Sequence, residues 1–402
     1  MNRPIRSITI FAALATLLVA GVHARTWTSA DGTKTFDGEL KTYDPATGMV
    51  GVALSNGKAM KFAQKALSEA DVAFLKEQGK VEAPVAGKPS AGKIDADPKN
   101  LFKPNDGKPA DMSKPVQVFI LLGQSNMVGA GKTAGLETVV KQNKKYPYLL
   151  DEAGNWMVRQ DVRNVRVMCS GAGPWKMYQN EWMAVSGKSI GPELGIGYPL
   201  GNAIDAPVMI LKSCIGNRAL SWDLLPPGAE GYAGNLETPR KPKDVKEWYA
   251  GVQYDGDVRA ALDVLADLKT YYPDAKKYEV AGFFFWQGEK DCGKAEWADA
   301  YEKNLVQFIK ALRKDFESPN AKFVLATLGE HTKGCGNKVF DAHFAVDGKD
   351  GKYPEFKGNV ATVYSNPLSM GGSGNGHYGG NPETYMNVGE AMGKAMVELL
   401  KN

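Results

Sequence analysis

The stretch Val116-Gln-Val-Phe-Ile-Leu-Leu-Gly-Gln-Ser-Asn-Met127 decides the fold class of this chain of 402 residues. It begins with an apolar run of the length of one buried strand and ends in a polar turn that contains Gly123 and Ser125. Further apolar runs suited to buried strands lie at residues 207–212, 279–286, 322–328 and 359–364. Residues with helical spacing separate several of these runs, so the sequence predicts a mainly parallel sheet with helices on both faces.

The predicted helices have apolar residues at every third or fourth position. Two of them carry these residues at Val258, Leu262, Leu265 and Leu268, and at Tyr301, Leu305, Phe308 and Leu312. The last helix begins at Pro382, with Asn381 as its N-cap. In such sheets ligands bind beyond the carboxyl ends of the strands, which is where Ser125 is expected.

Composition and charge exclude several classes of protein. The contents of 43% apolar and 23% charged residues are typical of a soluble globular protein. The net charge of +4 includes no block of Lys and Arg, so the sequence does not indicate a nucleic-acid partner. The chain is long enough for two domains.

Residues 1–24 have the pattern of a signal peptide. Arg3 and Arg6 supply positive charge, residues 8–22 form an apolar core, and Val22-His-Ala24 offers small residues at a cleavage point. A retained membrane anchor is the alternative, but the run is shorter than the roughly 20 residues that span a bilayer. We therefore expect an exported protein, periplasmic or extracellular, without stable membrane association after cleavage.

Export permits disulfides among the four cysteines, Cys169, Cys214, Cys292 and Cys335. They are widely spaced and include no CxxC pair, so they do not indicate a zinc site. If one bridge exists, we expect Cys292–Cys335, because both residues lie in loops just after predicted strands.

Residues 25–78 are predicted to form a small separate unit. Strands are predicted at residues 35–43, 50–54 and 59–62, with Asn56-Gly57 as a hairpin signal and Ser68-Glu-Ala-Asp71 as the capping box of a short helix. Arg25-Thr-Trp-Thr-Ser-Ala-Asp-Gly32 and Leu67-Ser-Glu-Ala-Asp-Val-Ala-Phe-Leu75 resemble the SHD1-type module, a small SH3-like barrel of exported bacterial proteins. The resemblance implies no activity, and a partner of this unit is unknown.

Residues 79–114 are rich in Pro, Gly, Lys and Asp, and their only large apolar residues are Val81, Val85, Ile94, Leu101, Phe102 and Met112. Such a composition is typical of a flexible linker. The sequence thus predicts a second domain over residues 115–402.

Ser125 is either a nucleophile or a serine that only caps a turn. The other segments that follow predicted strands help to decide between these two roles. The motif is not the GxSxG elbow, because position 127 is Met. A nucleophile needs a base, and His377 lies in a glycine-rich loop just before the capped last helix, which favours it over His331.

Two further segments follow predicted strands. In Trp286-Gln-Gly-Glu-Lys-Asp291, Gln287 is suited to donate to an oxyanion and Glu289 to orient a histidine, although a solvated acidic turn is the alternative. In Ile215-Gly-Asn-Arg-Ala-Leu-Ser-Trp222, the backbone N–H of Gly216 or Asn217 is suited to the same oxyanion. Trp222 is a surface on which sugars stack, or a core tryptophan.

Taken together, GQSNM at 123–127, the 215–222 segment, WQGEKD at 286–291 and Gly-His-Tyr at 376–378 resemble the SGNH-type carbohydrate esterases of the sialate O-acetylesterase and acetylxylan esterase group, akin to carbohydrate esterase family 6. The resemblance extends over residues 116–402 in order and spacing. It implies a three-layer α/β/α hydrolase, with a flavodoxin-like parallel sheet of about five strands, that removes acetyl groups from sugars without a metal or other cofactor.

The resemblance also implies roles for the site residues. Ser125 is the nucleophile and His377 the general base, and the oxyanion hole consists of Ser125, Gly216 or Asn217, and Gln287. We assign Gln124, Asn126, Arg218 and Trp222 to substrate binding, with an acetylated oligo- or polysaccharide as the partner.

Two departures from the family pattern stand out. The position three residues before His377, where the family usually has an aspartate, is Gly374. We therefore expect Glu289 to orient the histidine, with Asp291 in reserve. Arg218 adds a charge where the family more often has threonine, and this charge either favours an acidic sugar or pairs within the protein. The missing acid also leaves open a catalytically impaired glycan-binding protein on the same fold.

Overall fold

The structure, a computed structural model, describes residues 25–44, 48–54, 59–78, 94–237, 243, 247–329, 335–371 and 377–401. The chain divides into two compact units, the first represented by residues 25–78 and the second by residues 94–401. The signal peptide and Asn56-Gly57 lie outside the described residues, so both stay predictions. Among the described helices, none combines the length and apolar character required to cross a membrane.

The first unit is an antiparallel sheet followed by one helix. Its elements are β1 (Arg25–Thr28), β2 (Thr35–Asp44), β3 (Met49–Leu54), β4 (Ala59–Ala63) and α1 (Glu69–Gln78), and the strands pair in sequence order. Trp27 and Leu75 are fully buried in its core, and Ser68 Oγ accepts from the Asp71 N–H at 3.3 Å, as in a helix cap. The three predicted strands and the helix are confirmed, whereas the SH3-like barrel stays a prediction.

The second unit alternates strands and helices. Its elements are β5 (Val116–Gly123), α2 (Ser125–Val128), β6 (Gly131–Lys132), α3 (Thr133–Glu137), β7 (Arg159–Met168), β8 (Lys176–Met183), β9 (Ser189–Ile190), α4 (Glu193–Ala203), β10 (Val208–Ser213), α5 (Val252–Ala266), α6 (Leu268–Tyr271), β11 (Tyr278–Trp286), α7 (Ala295–Asp315), β12 (Lys322–Ala326), α8 (Lys338–Ala345), β13 (Val360–Val363) and α9 (Pro382–Leu400).

Seven of these strands form one sheet in the order β13-β12-β11-β5-β10-β7-β8. All neighbours pair in parallel except the edge strand β8, which is antiparallel to β7. β5 lies at the centre, with β10 on one side and β11 on the other. Loops that leave the carboxyl ends of these three strands therefore meet at one edge of the sheet.

Helices cover both faces of the sheet. Successive side chains of β5 point to opposite faces, and all of them are buried. Val118 and Ile120 belong to a buried cluster that includes residues of α5, α7 and α8. Phe119 and Leu121 point to the opposite cluster, which includes residues of α4 and α9. The predicted three-layer α/β/α arrangement is thus confirmed.

All five predicted strands are present, but β7 and β8 were not predicted. Charged and polar residues interrupt both sequences, Arg-Gln-Asp-Val-Arg-Asn-Val-Arg-Val-Met and Lys-Met-Tyr-Gln-Asn-Glu-Trp-Met. β8 lies at the edge of the sheet and β7 lies next to it, and many of their side chains are half-buried or exposed. Both strands therefore lack the continuous apolar signal of the fully buried strands.

Part of the predicted linker packs onto the second unit. The Asp95 N–H donates to the Ala203 carbonyl at 2.9 Å, and Leu101 is 2% exposed. The Asn202 amide donates to the carbonyl oxygens of Asn100, Leu101 and Lys103. The flexible-linker interpretation is therefore wrong for this stretch, because these polar contacts and one buried leucine anchor it without an extended apolar run.

The predicted disulfide is present, since Cys292 and Cys335 are bonded. It links the short turn after β11 to the segment just before α8, where Cys335 precedes the N-cap residue Asn337 by two positions. Cys169 and Cys214 are buried free thiols, and burial raises the pKa of Cys214 to about 12.

A buried ion pair lies beneath the polar turn that follows β5. Lys212, near the end of β10, is 1% exposed and pairs with Glu193 of α4. Its ammonium group also donates to the Val128 carbonyl at 3.1 Å, at the end of α2. Glu193 in turn accepts from the Gly191 N–H at 2.9 Å. Both charges are satisfied, so the pair fixes the position of α2.

We expect Lys212→Met to destabilise the protein by about 3–5 kcal/mol, because it leaves Glu193 as an unpaired buried charge. The double variant Glu193→Gln/Lys212→Met should lose less than the single variant, since it removes both charges. Urea unfolding followed by circular dichroism measures the difference. Lys303→Met, which removes a lysine with 71% side-chain exposure, serves as a control without an expected effect. A Lys212→Met variant as stable as wild type would contradict this account.

Candidate active site

The end of β5 touches the end of β11 at Gly123. Gly123 has φ 144°, and a Cβ there would lie 2.4 Å from the carbonyl oxygen of Trp286. Only glycine permits this approach. The Gln124 N–H donates to the same Trp286 carbonyl at 3.2 Å. The Ser125 turn is therefore pinned to the WQGEKD segment.

Ser125 begins the one-turn helix α2 and is half-buried, between the buried side chains of Gln124 and Asn126. Both flanking amides donate to Glu289, one to each carboxylate oxygen. Charge-assisted hydrogen bonds of this kind are among the stronger polar contacts in proteins. Glu289 thus clamps both sides of the serine.

The loop of residues 214–222, which follows β10, passes beside Ser125. A Cβ on Gly216 would lie 3.4 Å from the Ser125 Cβ, which is van der Waals contact. Asn217 is in the left-handed conformation, at φ 59°, which asparagine tolerates better than most residues. Among the described residues, none accepts a hydrogen bond from the N–H of Gly216 or Asn217.

Asp291 holds the far end of the 214–222 loop. It is fully buried, and its two oxygens accept from the N–H groups of Leu220 and Ser221, each at 2.8 Å. Gln287 donates to Asp291 at 2.6 Å and to the Arg218 carbonyl at 2.8 Å. Burial raises the pKa of Asp291 to about 6, while these donors favour its charged form.

His377 is exposed at the same edge, with a left-handed backbone at φ 51°. Its neighbour Tyr378 is buried and stacks on Trp286, with ring centroids 6.0 Å apart. The Tyr378 hydroxyl accepts from the Gly329 N–H, beyond the end of β12, at 3.3 Å. Trp286 therefore contacts both the segment of Ser125, through its carbonyl, and the segment of His377, through its ring.

The structure brings some of the predicted site residues together near Ser125, whereas others bind different groups of the protein. Gly216 is placed beside Ser125, and Glu289 contacts Gln124 and Asn126. Both N–H groups of the Gln287 side chain donate to protein acceptors, and both Asp291 oxygens accept from the protein. Of the remaining predicted residues, Trp222 is 41% exposed and Arg218 contacts the loop backbone. His331 and Gly374 lie outside the described residues.

Sequence reasoning missed a buried polar network behind Gln287. The Tyr301 hydroxyl lies 3.0 Å from the Gln287 carbonyl and 2.9 Å from its side-chain oxygen, and it lies 3.1 Å from His343 Nε2. Since Tyr301 donates to Gln287, we assign the His343 proton to Nε2, which donates to the tyrosine oxygen. Tyr301 and His343 lie on helices, at positions where the sequence has an apolar pattern. Their polar atoms are the sole sequence signal of the hydrogen bonds that they make to each other and to Gln287.

His343 is buried as the neutral imidazole. Burial lowers its pKa to about 4, and its Nδ1 has no hydrogen-bond partner among the described residues. Protonation would place a charge in the core beside Tyr301 without a carboxylate to pair with it. His343 is thus a structural residue of the site.

The fold and the site define a class of protein. A half-buried serine, with a glycine loop beside it and a clamping carboxylate, lies beyond the carboxyl end of the central strand of a three-layer α/β/α sheet. Residues 246–398 match the family model described as carbohydrate esterase, sialic acid-specific acetylesterase. The match includes Glu289 and His377, and it supports an esterase that acts on acetylated carbohydrates.

Three solved structures are among those to which this chain is similar. A protein from Arabidopsis thaliana shares 19% identity at TM-score 0.42, over 70% of this chain and 98% of that one. A carbohydrate acetylesterase from Xanthomonas citri shares 14% at TM-score 0.41, over 69% and 55%. NanS shares 14% at TM-score 0.39, over 66% and 80%. No curated protein matches the chain.

We expect Asp291→Asn to destabilise the protein by about 2–4 kcal/mol, because the amide offers a donor where the fold presents only donors. The variant should also lower esterase activity, since the 214–222 loop loses its anchor. Urea unfolding and ester turnover measure the two effects. Asp299→Asn, at an exposed carboxylate paired with Lys338, is the matched control and should change neither.

The pKa of His343 predicts a pH dependence of stability. The unfolded histidine binds a proton near pH 6.5 and the folded one near pH 4, so stability falls as pH decreases through this interval, by about 3 kcal/mol in total. His343→Gln cannot titrate and should lack this loss. Urea unfolding at pH 7 and pH 4 for both proteins isolates the effect, because other groups cancel in the comparison. Equal pH slopes would contradict the assignment.

Proposed function

We propose that the protein is an exported serine esterase that removes O-acetyl groups from carbohydrates through an acetyl-serine intermediate. The observation that carries the proposal is the placement of Ser125 against Gly216 on one side and, through its neighbours, against Glu289 on the other. Ser125 and Gly216 lie outside the segment that matches the esterase family model, and Glu289 lies inside it. The clamp therefore joins the proposed nucleophile to the esterase-like part of the chain.

In the proposed reaction His377 takes the proton of the Ser125 hydroxyl as the serine oxygen attacks the acetyl carbonyl. The carbonyl π electrons move to the oxygen, and a tetrahedral oxyanion forms. Its collapse breaks the bond to the sugar oxygen, which leaves with the proton from His377. Water then attacks the acetyl-enzyme by the same route and releases acetate.

The main donors of the oxyanion hole that we propose are backbone N–H groups. Ser125 and either Gly216 or Asn217 offer N–H groups beside the serine, whereas Gln287 donates to Asp291 and the Arg218 carbonyl. Gln287 would have to release one of these bonds to serve the oxyanion. Removal of one oxyanion donor typically raises the barrier by about 3–4 kcal/mol.

Glu289 remains the proposed acid that orients His377. Its carboxylate oxygens already accept from Gln124 and Asn126, which fixes their position, and each oxygen has two acceptor sites. Asp291 is the weaker candidate, because three protein donors hold it beneath the 214–222 loop. Exposed Trp222 offers an indole face for a sugar.

The test is Ser125→Ala, which should lower kcat on p-nitrophenyl acetate by about 10⁴-fold or more, as loss of a serine nucleophile does. A phosphonofluoridate should label Ser125, which peptide mass spectrometry locates. Ser113→Ala, at an exposed serine bonded to Asp111, is the control without an expected effect.

Two outcomes would contradict the proposal. Full activity of Ser125→Ala would exclude this serine as the nucleophile. Wild-type protein that binds acetylated glycans but turns over no acetyl ester would support the alternative, a glycan-binding protein on the same fold, which the glycine at position 374 favours.

A further inference from the structure

Arg218 occupies a position next to the proposed oxyanion donors, and its side chain turns back onto its own loop. Its Nη1 donates to the carbonyl of Gly216 at 3.3 Å and to that of Asn217 at 3.1 Å. The Arg218 carbonyl itself accepts from Gln287 at 2.8 Å. Three successive carbonyl groups of the loop, at residues 216, 217 and 218, are therefore fixed by side-chain donors.

The direction of a carbonyl fixes the direction of an N–H group. In a planar trans peptide, the C=O of one residue and the N–H of the next point to opposite sides. The guanidinium of Arg218 holds the Gly216 carbonyl, so the Asn217 N–H points away from it. A donor on the carbonyl oxygen also polarises the peptide and strengthens its N–H as a donor.

The guanidinium is itself held from three directions. Its Nε donates to Gln253 at 2.9 Å, its Nη2 donates to Ser170 at 3.3 Å, and it lies 4.6 Å from the ring centroid of Trp248. Gln253 is fully buried and also accepts from the Gly171 N–H at 2.8 Å. These contacts together require the planar guanidinium group, whose N–H groups point in several fixed directions. The ammonium group of a lysine cannot make all of them.

These contacts decide between the two interpretations of Arg218 that the sequence left open. Of its five N–H groups, one on Nε, two on Nη1 and one on Nη2 donate to protein acceptors. A carboxylate of an acidic sugar would need two free parallel N–H groups for bidentate binding. The arrangement instead suits an internal clamp.

We propose that Arg218 is a positioning residue that holds the carbonyl groups of Gly216 and Asn217 so that the Asn217 N–H faces the oxyanion formed at Ser125. This inference rests on the proposed function. It names a residue for which the family pattern offers no role, because the family more often has threonine there.

The test compares wild type, Arg218→Met and Arg218→Lys on p-nitrophenyl acetate. Arg218→Met should lower kcat by about 10²-fold, within the range for a lost oxyanion donor, and leave KM within about twofold. Arg218→Lys keeps the charge without the fork and should lose about 10-fold. Because Arg218→Lys is the milder change, it keeps the test informative if the methionine variant does not fold.

A second readout separates positioning from a general structural role. A trifluoromethyl ketone forms a tetrahedral oxyanion on the serine, so its affinity should weaken in proportion to kcat/KM across the variants. Arg259→Met is the matched control, since Arg259 lies on α5, is half-exposed and pairs with Asp263; it should match wild type in every assay.

Three outcomes would overturn the inference. Wild-type kcat and inhibitor affinity in Arg218→Met would exclude the clamp while leaving the proposed function intact. A rise in KM alone, and only for esters of acidic sugars, would assign Arg218 to the substrate. Wild-type protein without turnover of any acetyl ester would overturn the proposed function, and this inference with it.

Discussion

The contact between Gly123 and the carbonyl of Trp286 is the constraint on which the rest of the site depends. It brings the ends of two neighbouring parallel strands closer than any side chain on residue 123 would allow. The Ser125 turn then has one position relative to the WQGEKD segment. Because the Trp286 ring also stacks on Tyr378, the same residue sets the place of the loop that carries His377.

Two motifs that are far apart in the sequence form one unit at this edge. The amides of Gln124 and Asn126 both bind Glu289, so the serine lies between two charge-assisted bonds to one carboxylate. Half-burial strengthens such bonds, since fewer waters compete for the carboxylate. Glu289, which we propose as the acid that orients His377, thus orders the turn that carries the proposed nucleophile Ser125.

Several polar side chains behind the site are held by protein partners. Asp291 holds the 214–222 loop from one end, and Arg218 holds its middle. Lys212 donates a hydrogen bond to the end of α2. His343, as a neutral ring, is hydrogen-bonded to Tyr301 behind Gln287. Each is buried or half-buried, where an unsatisfied polar group is unfavourable, so these contacts confine the backbone at the site to one arrangement.

The sequence by itself determined five neighbouring parallel strands, the helices between them and the positions of Ser125, Gly216 and Glu289 at one sheet edge, because continuous apolar runs and strand ends are local signals. Only the tertiary structure decided which polar groups bind each other. It added the polar strands β7 and β8, placed Asp291 on the backbone of the 214–222 loop, and directed the Arg218 side chain onto its own loop. These choices depend on which side chains meet across the sheet, and spacing along the chain does not record that.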